Sequence, residues 1–203
     1  MKTDWMRCCA LGSLLIVLAG ACASRGGASA ALYSEAARQD PRGKPYVIGV
    51  ADVVQVSVWK DESLSTEAVV RPDGTITMPV VGELRAAGRT AAQLQQDAAQ
   101  RLATIIKDAV VTVSVTQVNS YRFTVAGNVE NPGLFTSRYY VTVSEALALA
   151  GGPNRYASTG SVELVRSSAH GGQRIPIDYD GILSGQHPEQ DIVILAGDAV
   201  RVP

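Results

Sequence analysis

Between residues 111 and 116 the chain alternates without a break: Val111, Val113 and Val115 on one parity, Thr112, Ser114 and Thr116 on the other. Successive strand side chains point to opposite faces, so this stretch is a half-buried strand. Its apolar side needs a core, and its hydroxyl side is left for solvent, a pore or a neighbour. The run at 53–58 has the same habit, with Val54, Val56 and Val58 on one face and Val53, Gln55 and Ser57 on the other. It is entered through a turn from Gly49 to Asp52. Between the two strands lies the one long helix. Thr90 and Gln93 make a capping box at its start, and Leu94, Ala98, Leu102 and Ile105 recur at helical spacing along one face. "RPDGT" predicts a hairpin turn between two β-prone runs: Pro72 pre-sets φ, Asp73 bonds its own backbone and Gly74 accepts positive φ. These elements make a small strand-helix-strand layer.

A second unit begins near Tyr121. "YRFTVAG" reads as a strand ending in a turn at Gly127, followed by Asn131-Pro132-Gly133. Thr142 and Glu145 cap a second helix that carries Leu147 inside and stops at Gly151. "SVELVRSSAHGGQRIPID" has the form of a hairpin with a loose His-Gly-Gly loop, and "YDGILSGQ" that of a single helical turn. The last stretch, "IVILAGDAVRVP", predicts a buried strand over 192–195, a turn at Gly197-Asp198 and a closing strand. "ADVVQV" at 51–56 and "GDAVRV" at 197–202 echo one another, each with Asp before an alternating Val pair.

No catalytic constellation stands out. His170 and His187 lie in loops without metal-ligand spacing, and Asp178 and Asp180 flank Tyr179 as a solvated pair near a helix start. Nucleophile elbows, phosphate loops and dinucleotide fingerprints are absent from the sequence. With 18 basic against 19 acidic residues and no run of Lys or Arg, a nucleic-acid partner has no support.

The N-terminus has another purpose. Lys2 and Arg7 precede the apolar run "ALGSLLIVLAGACA", too short to span a bilayer as an ordinary helix, so residues 1–21 read as a secretory signal. The run ends in "LAGAC", a lipobox-like pattern that makes Cys22 the lipidated residue, although Ala19 stands where Leu is preferred; cleavage at an A-x-A site around Cys22 is the rival reading. Cys8 and Cys9 fall within the signal, which leaves Cys22 alone in the mature chain, where acylation suits it better than a disulfide. Residues 22–44, small and polar, then form a lipid-anchored flexible linker, with a reach of about 25 to 30 Å as a coil. Any helix within "SAALYSEAARQ" would be marginal alone.

The order of these features is more specific than any one of them. "YVIGVADVVQVSVW", "VRPDGTITMPVVGEL", "RTAAQLQQDAAQRL" and "VTVSV" resemble a polysaccharide export domain, here 45–119. "FTVAGNVENPGLF", "TVSEALALAGG" and "AGDAVRVP" resemble the soluble-ligand-binding β-grasp (SLBB) domain that follows it, here 120–203. The chain thus resembles the outer-membrane polysaccharide export family, the Wza-like proteins, and the resemblance implies an α+β fold. It further implies a periplasmic lipoprotein on the outer membrane, without cofactor, metal or turnover, that assembles into a ring, octameric by that likeness, in a conduit for capsular or exopolysaccharide.

Carried onto this chain, the family's structural motifs fall on Asp52, on Pro72, Asp73 and Gly74, on Gly127, Pro132 and Gly133, and on Gly197 and Asp198. Where the family commonly has Gly-Pro-Gly-Asp, this chain has Gly49-Val50-Ala51-Asp52, so a less tight first turn is expected. The implied partners are further copies of the chain, an inner-membrane polysaccharide co-polymerase and the translocating polysaccharide. Longer relatives continue with more β-grasp units or an amphipathic helix, so a separate outer-membrane β-barrel protein is also expected. The alternative reading is a monomeric periplasmic β-grasp module that binds a soluble glycan or a partner protein.

Overall fold

The computed structural model describes residues 25–106, 109–167 and 172–203. The signal segment, Cys22 and His170 lie outside them.

The first unit is built on a three-stranded antiparallel sheet in the order β2-β1-β5, from β1 (Val53–Val58), β2 (Thr66–Val69) and β5 (Val111–Gln117). Alternation decides its faces: Val54, Val56, Val58, Val111 and Val113 are buried, while Ser57, Thr112 and Ser114 face out. The helix α2 (Ala91–Ala103) covers the apolar face with Leu94, Ala98 and Leu102, and its capping box of Thr90 and Gln93 is formed on both sides. Ile105, expected on the same stripe, lies beyond the last helical residue and is 53% exposed. Ile106 packs against the core instead, because the chain leaves helical spacing after Ala103.

The turn at 71–74 forms, with the Gly74 amide donating to the Arg71 carbonyl at 2.8 Å, but the runs on its two sides do not make the expected hairpin. β2 pairs with β1, whereas β3 (Thr75–Met78) pairs with β4 (Gly82–Arg85) in a ribbon of its own. That second hairpin turns through Pro79, Val80 and Val81, with Val80 at φ +66°, and carries none of the usual Asn-Gly chemistry. Ile76, Met78 and Leu84 from the ribbon complete the first core.

The second unit is a five-stranded mixed sheet in the order β7-β6-β10-β8-β9: β6 (Arg122–Gly127), β7 (Gly133–Thr136), β8 (Val162–Arg166), β9 (Gln173–Ile177) and β10 (Ala199–Val202). β10 lies at its centre, parallel to β6 and antiparallel to β8. The helix α3 (Val143–Leu149), capped by Thr142 and Glu145, packs Val143, Ala146 and Leu147 into the core around Phe123 and Leu164. The five-residue α4 (Tyr179–Leu183) is the helical turn expected there. Of the run 192–195, Ile192, Val193 and Ile194 are buried, but the run joins no ladder and is not the strand expected. Val193 makes a single bridge to Thr142, and Ile192 and Ile194 pair with the entry to α3.

The segment read as a flexible linker contains a helix, α1 (Arg25–Arg38). Its weak amphipathicity hid it, and tertiary contacts hold it. Ala36 is buried in the second core beside Leu32 and Tyr33, and the Tyr33 hydroxyl donates to the Pro176 carbonyl at 2.7 Å.

Candidate functional site

The two echoing aspartates fold into the same local device. Ahead of β1, Asp52 accepts the Gly49 amide on Oδ2 at 2.7 Å. Ahead of β10, Asp198 accepts the Leu195 amide on Oδ2 at 2.9 Å. In each case the carboxylate reaches back three residues and fixes the corner by which the chain enters its strand. The corner at Asp52 has a long backbone bond, 3.4 Å from its amide to the Gly49 carbonyl. The side-chain bond closes it nonetheless. Ala51 adopts φ +75°, the left-handed conformation that a glycine takes without strain. Gly49 is required for space, since a Cβ there would lie 2.3 Å from the Ser120 side chain.

The two carboxylates are compensated differently. Asp52, fully buried, is held by five neutral donors: the Gly49, Asn119 and Ser120 amides at 2.7, 2.8 and 2.7 Å and the Tyr46 and Ser120 hydroxyls at 2.6 and 3.0 Å. Asn119 and Ser120 belong to the link between the units, so one side chain joins the first strand of one unit to the entry of the next. Burial, then the bond to Asp52, pushes the Tyr46 phenol above its ordinary value. Asp198, 2% exposed, takes a guanidinium instead: Arg166 Nη2 at 2.8 Å and Nε at 3.0 Å. Arg166 also donates to the Val193 carbonyl and to Gln39, just past α1, which ties that helix to the second sheet.

The remaining motif residues shape turns. Asp73 Oδ1 accepts the Thr75 hydroxyl at 2.6 Å and its amide at 2.9 Å, bonds that hold its carboxyl below the usual range. Gly74, at φ +82°, offers its carbonyl to the Ala86 and Ala87 amides and so joins the turn to the chain leaving β4. Gly127 lies against β10 so closely that a Cβ would fall 1.9 Å from the Val202 carbonyl oxygen. Pro132 is exposed, and Gly133 opens β7 with free space where a Cβ would be. Gly197, at φ +87°, sends its amide to the Arg122 carbonyl at 2.7 Å.

Among the described residues, the chemistry-bearing side chains are not drawn into a reacting cluster. Asp178 caps α4 through the Gly181 amide, Asp180 accepts the Thr159 hydroxyl, and His187 stands beside Glu189. A cleft of about 690 Å³ separates α1 from this region and is lined by Tyr33, Ser34, Pro176, Asp178, His187 and Glu189. Its α1 wall falls in the segment expected as a linker with at most a marginal helix.

Residues 40–116 match the family model described as polysaccharide biosynthesis/export protein, and residues 122–178 match the SLBB domain. The chain is 28% identical over 182 residues to the EPS I polysaccharide export outer membrane protein EpsA of Ralstonia solanacearum, covering 78% of this chain and 48% of that protein. It is 25% identical over 175 residues to the capsule polysaccharide export protein BexD of Haemophilus influenzae, covering 76% and 43%. A third relative is the exopolysaccharide production protein ExoF of Rhizobium meliloti, at 26% over 150 residues, covering 68% and 32%. The chain thus spans about half the length, or less, of the curated relatives it matches.

Proposed function

We propose that this chain, whose residues 40–116 match the polysaccharide biosynthesis/export protein family and whose residues 122–178 match the SLBB domain, is a non-enzymatic part of a conduit that exports capsular or exopolysaccharide. It works at the periplasmic face of the outer membrane, anchored by an acylated Cys22, and assembles with copies of itself into a ring that meets an inner-membrane co-polymerase. The observation that carries this reading is the serial pair of matched domains joined at one buried carboxylate, Asp52. Such a junction holds two units at a set angle, which a closed ring of repeated copies requires. Among the described residues no helix is long and apolar enough to cross a membrane.

Two measurements test it: surface polysaccharide in a clean deletion strain, and particle size in detergent extracts. Loss of surface polysaccharide together with a large discrete particle supports the proposal. Unchanged polysaccharide together with strictly monomeric protein at every concentration overturns it. Mass spectrometry of the mature N-terminus tests the acylation separately.

The cleft beside α1 favours a second reading, a monomeric β-grasp module that holds a soluble glycan or a partner. A saturable ligand in a glycan screen, with no export defect on deletion, selects that reading over the first.

A further inference from the structure

On the outward face of β1, Ser57 is followed two residues on by Trp59, whose side chain is 71% exposed. Trp59 continues the ladder past its last pair, its amide donating to the Val110 carbonyl at 2.9 Å. The next residue, Lys60, takes φ +64°, a left-handed turn that costs an L-residue about 1 kcal/mol and ends the ladder. An indole held out on a strained corner is an arrangement that burial does not explain.

The surroundings say what it suits. Trp59 lines a hollow of about 450 Å³ together with Ser57, Thr112, Asp61, Glu62 and Val110. Ser57 and Thr112 face each other across the β1–β5 ladder, both exposed. Val110, 60% exposed, is the one other large apolar side chain exposed on this rim among the described residues. A protein-protein interface wants a broad apolar centre stripped of charge. A single aromatic plane ringed by hydroxyls, carboxylates and Lys60 instead fits a pyranose: its C–H face lies on the electron-rich ring, and its hydroxyls meet Ser, Thr, Lys, Asp and Glu.

We propose that the Trp59 hollow is a saccharide-contact site, at which the indole forms a stacking platform for one sugar unit of a polysaccharide strand. The proposal rests on the export reading and adds to it a place where the chain touches its cargo. One platform per copy gives weak contact, repeated around an assembly, so a polymer is guided without being held.

The test uses the mature chain from residue 22 onward, in which Trp59 is the sole tryptophan. Oligosaccharides cut by mild acid from the producing strain's own exopolysaccharide are titrated against its emission, with maltohexaose and hexagalacturonate as neutral and acidic comparison probes. A saturable change in emission is expected with the first. By calorimetry Trp59→Ala weakens binding about tenfold and Trp59→Phe less. The side chain is exposed, so both variants should melt with the parent, and in cells Trp59→Ala should lower exported polysaccharide at unchanged protein level. Silent emission with equal affinity of Trp59→Ala overturns the proposal. So does a Trp59→Ala variant that binds glycan normally but loses a cross-link to another protein. If deleting the whole gene leaves surface polysaccharide intact, the export reading fails. If deletion abolishes it while Trp59→Ala is silent in every assay, the platform alone fails.

Discussion

The carboxylate of Asp52 accepts the backbone amide of Ser120 at 2.7 Å, joining residues 68 positions apart. That single bond, with its four companions, makes the link between the two units part of the first unit's fold. It also defines what removing the carboxylate costs.

Asp52→Asn puts an amide NH₂ where donors already converge on both oxygens, since Oδ1 takes two backbone amides and Oδ2 an amide and two hydroxyls. The expected loss is about 3 kcal/mol in urea unfolding followed by circular dichroism, because buried donors are left facing a donor. Limited proteolysis should find a new cut at 117–121. A loss below about 1 kcal/mol would show that water or repacking replaces the carboxylate.

Ala51→Gly has the opposite sign. The left-handed φ of +75° strains alanine by more than the extra chain entropy that glycine gives up on folding. A gain of about 0.5 to 1 kcal/mol is expected, about 2 to 3 °C in a calorimetric melt. A lower melting temperature would mean that the turn does not hold this conformation in solution.

Two glycines of the second unit should part company. Gly127→Ala meets both a φ of +96° and the Val202 carbonyl oxygen, so a loss of about 3 kcal/mol or failure to accumulate as folded protein is expected. Gly133→Ala meets open space at an ordinary φ and should stay within about 0.5 kcal/mol of the parent. Equal effects in side-by-side melts would contradict the close packing of β6 on β10.

Alkaline pH tests the phenols that are wholly or partly buried. Tyr33, Tyr46, Tyr121, Tyr140 and Tyr179 are all held above the ordinary value of 10.0, chiefly by burial. The folded protein therefore keeps protons that the unfolded chain releases. Their contribution is full below about pH 10 and is lost as the pH climbs through the raised values. Tyr46→Phe should cost about 1 kcal/mol at pH 7, through the lost bond to Asp52, yet show a shallower decline above pH 10. Parallel curves for the two proteins would assign the decline to other groups.

Local rules made much of this fold readable. The capping boxes at Thr90 and Thr142 are chemistry between residues three apart, and the alternation of β5 follows from the pleat, so both survive any tertiary context. What escaped the sequence depends on distant partners. The β3–β4 ribbon turns through Val80 in the left-handed region, where a β-branched residue is not expected, although Pro79 and Gly82 flank it. The apolar run 192–195 says only that it is buried, and the entry to α3 decides that it is not a strand. The helix α1 has too few apolar positions to be seen without the surface it covers. The candidate site was half visible: both aspartates stood out through their shared pattern, but nothing local tells that one is answered by five neutral donors and the other by Arg166. Trp59 was passed over because one aromatic in a sparse sequence carries no pattern.

The central strand of the second sheet is its last in sequence. Hairpins β6–β7 and β8–β9 can form as soon as they are made, but each stays an isolated two-stranded ribbon, marginal in water, until β10 slides between β6 and β8. The sheet therefore zips shut only when Ala199–Val202 arrives, a high-contact-order step that sets the pace of folding. Until that strand arrives the second unit stays pliable, because the core around Phe123 and Leu164 has no central strand to close on.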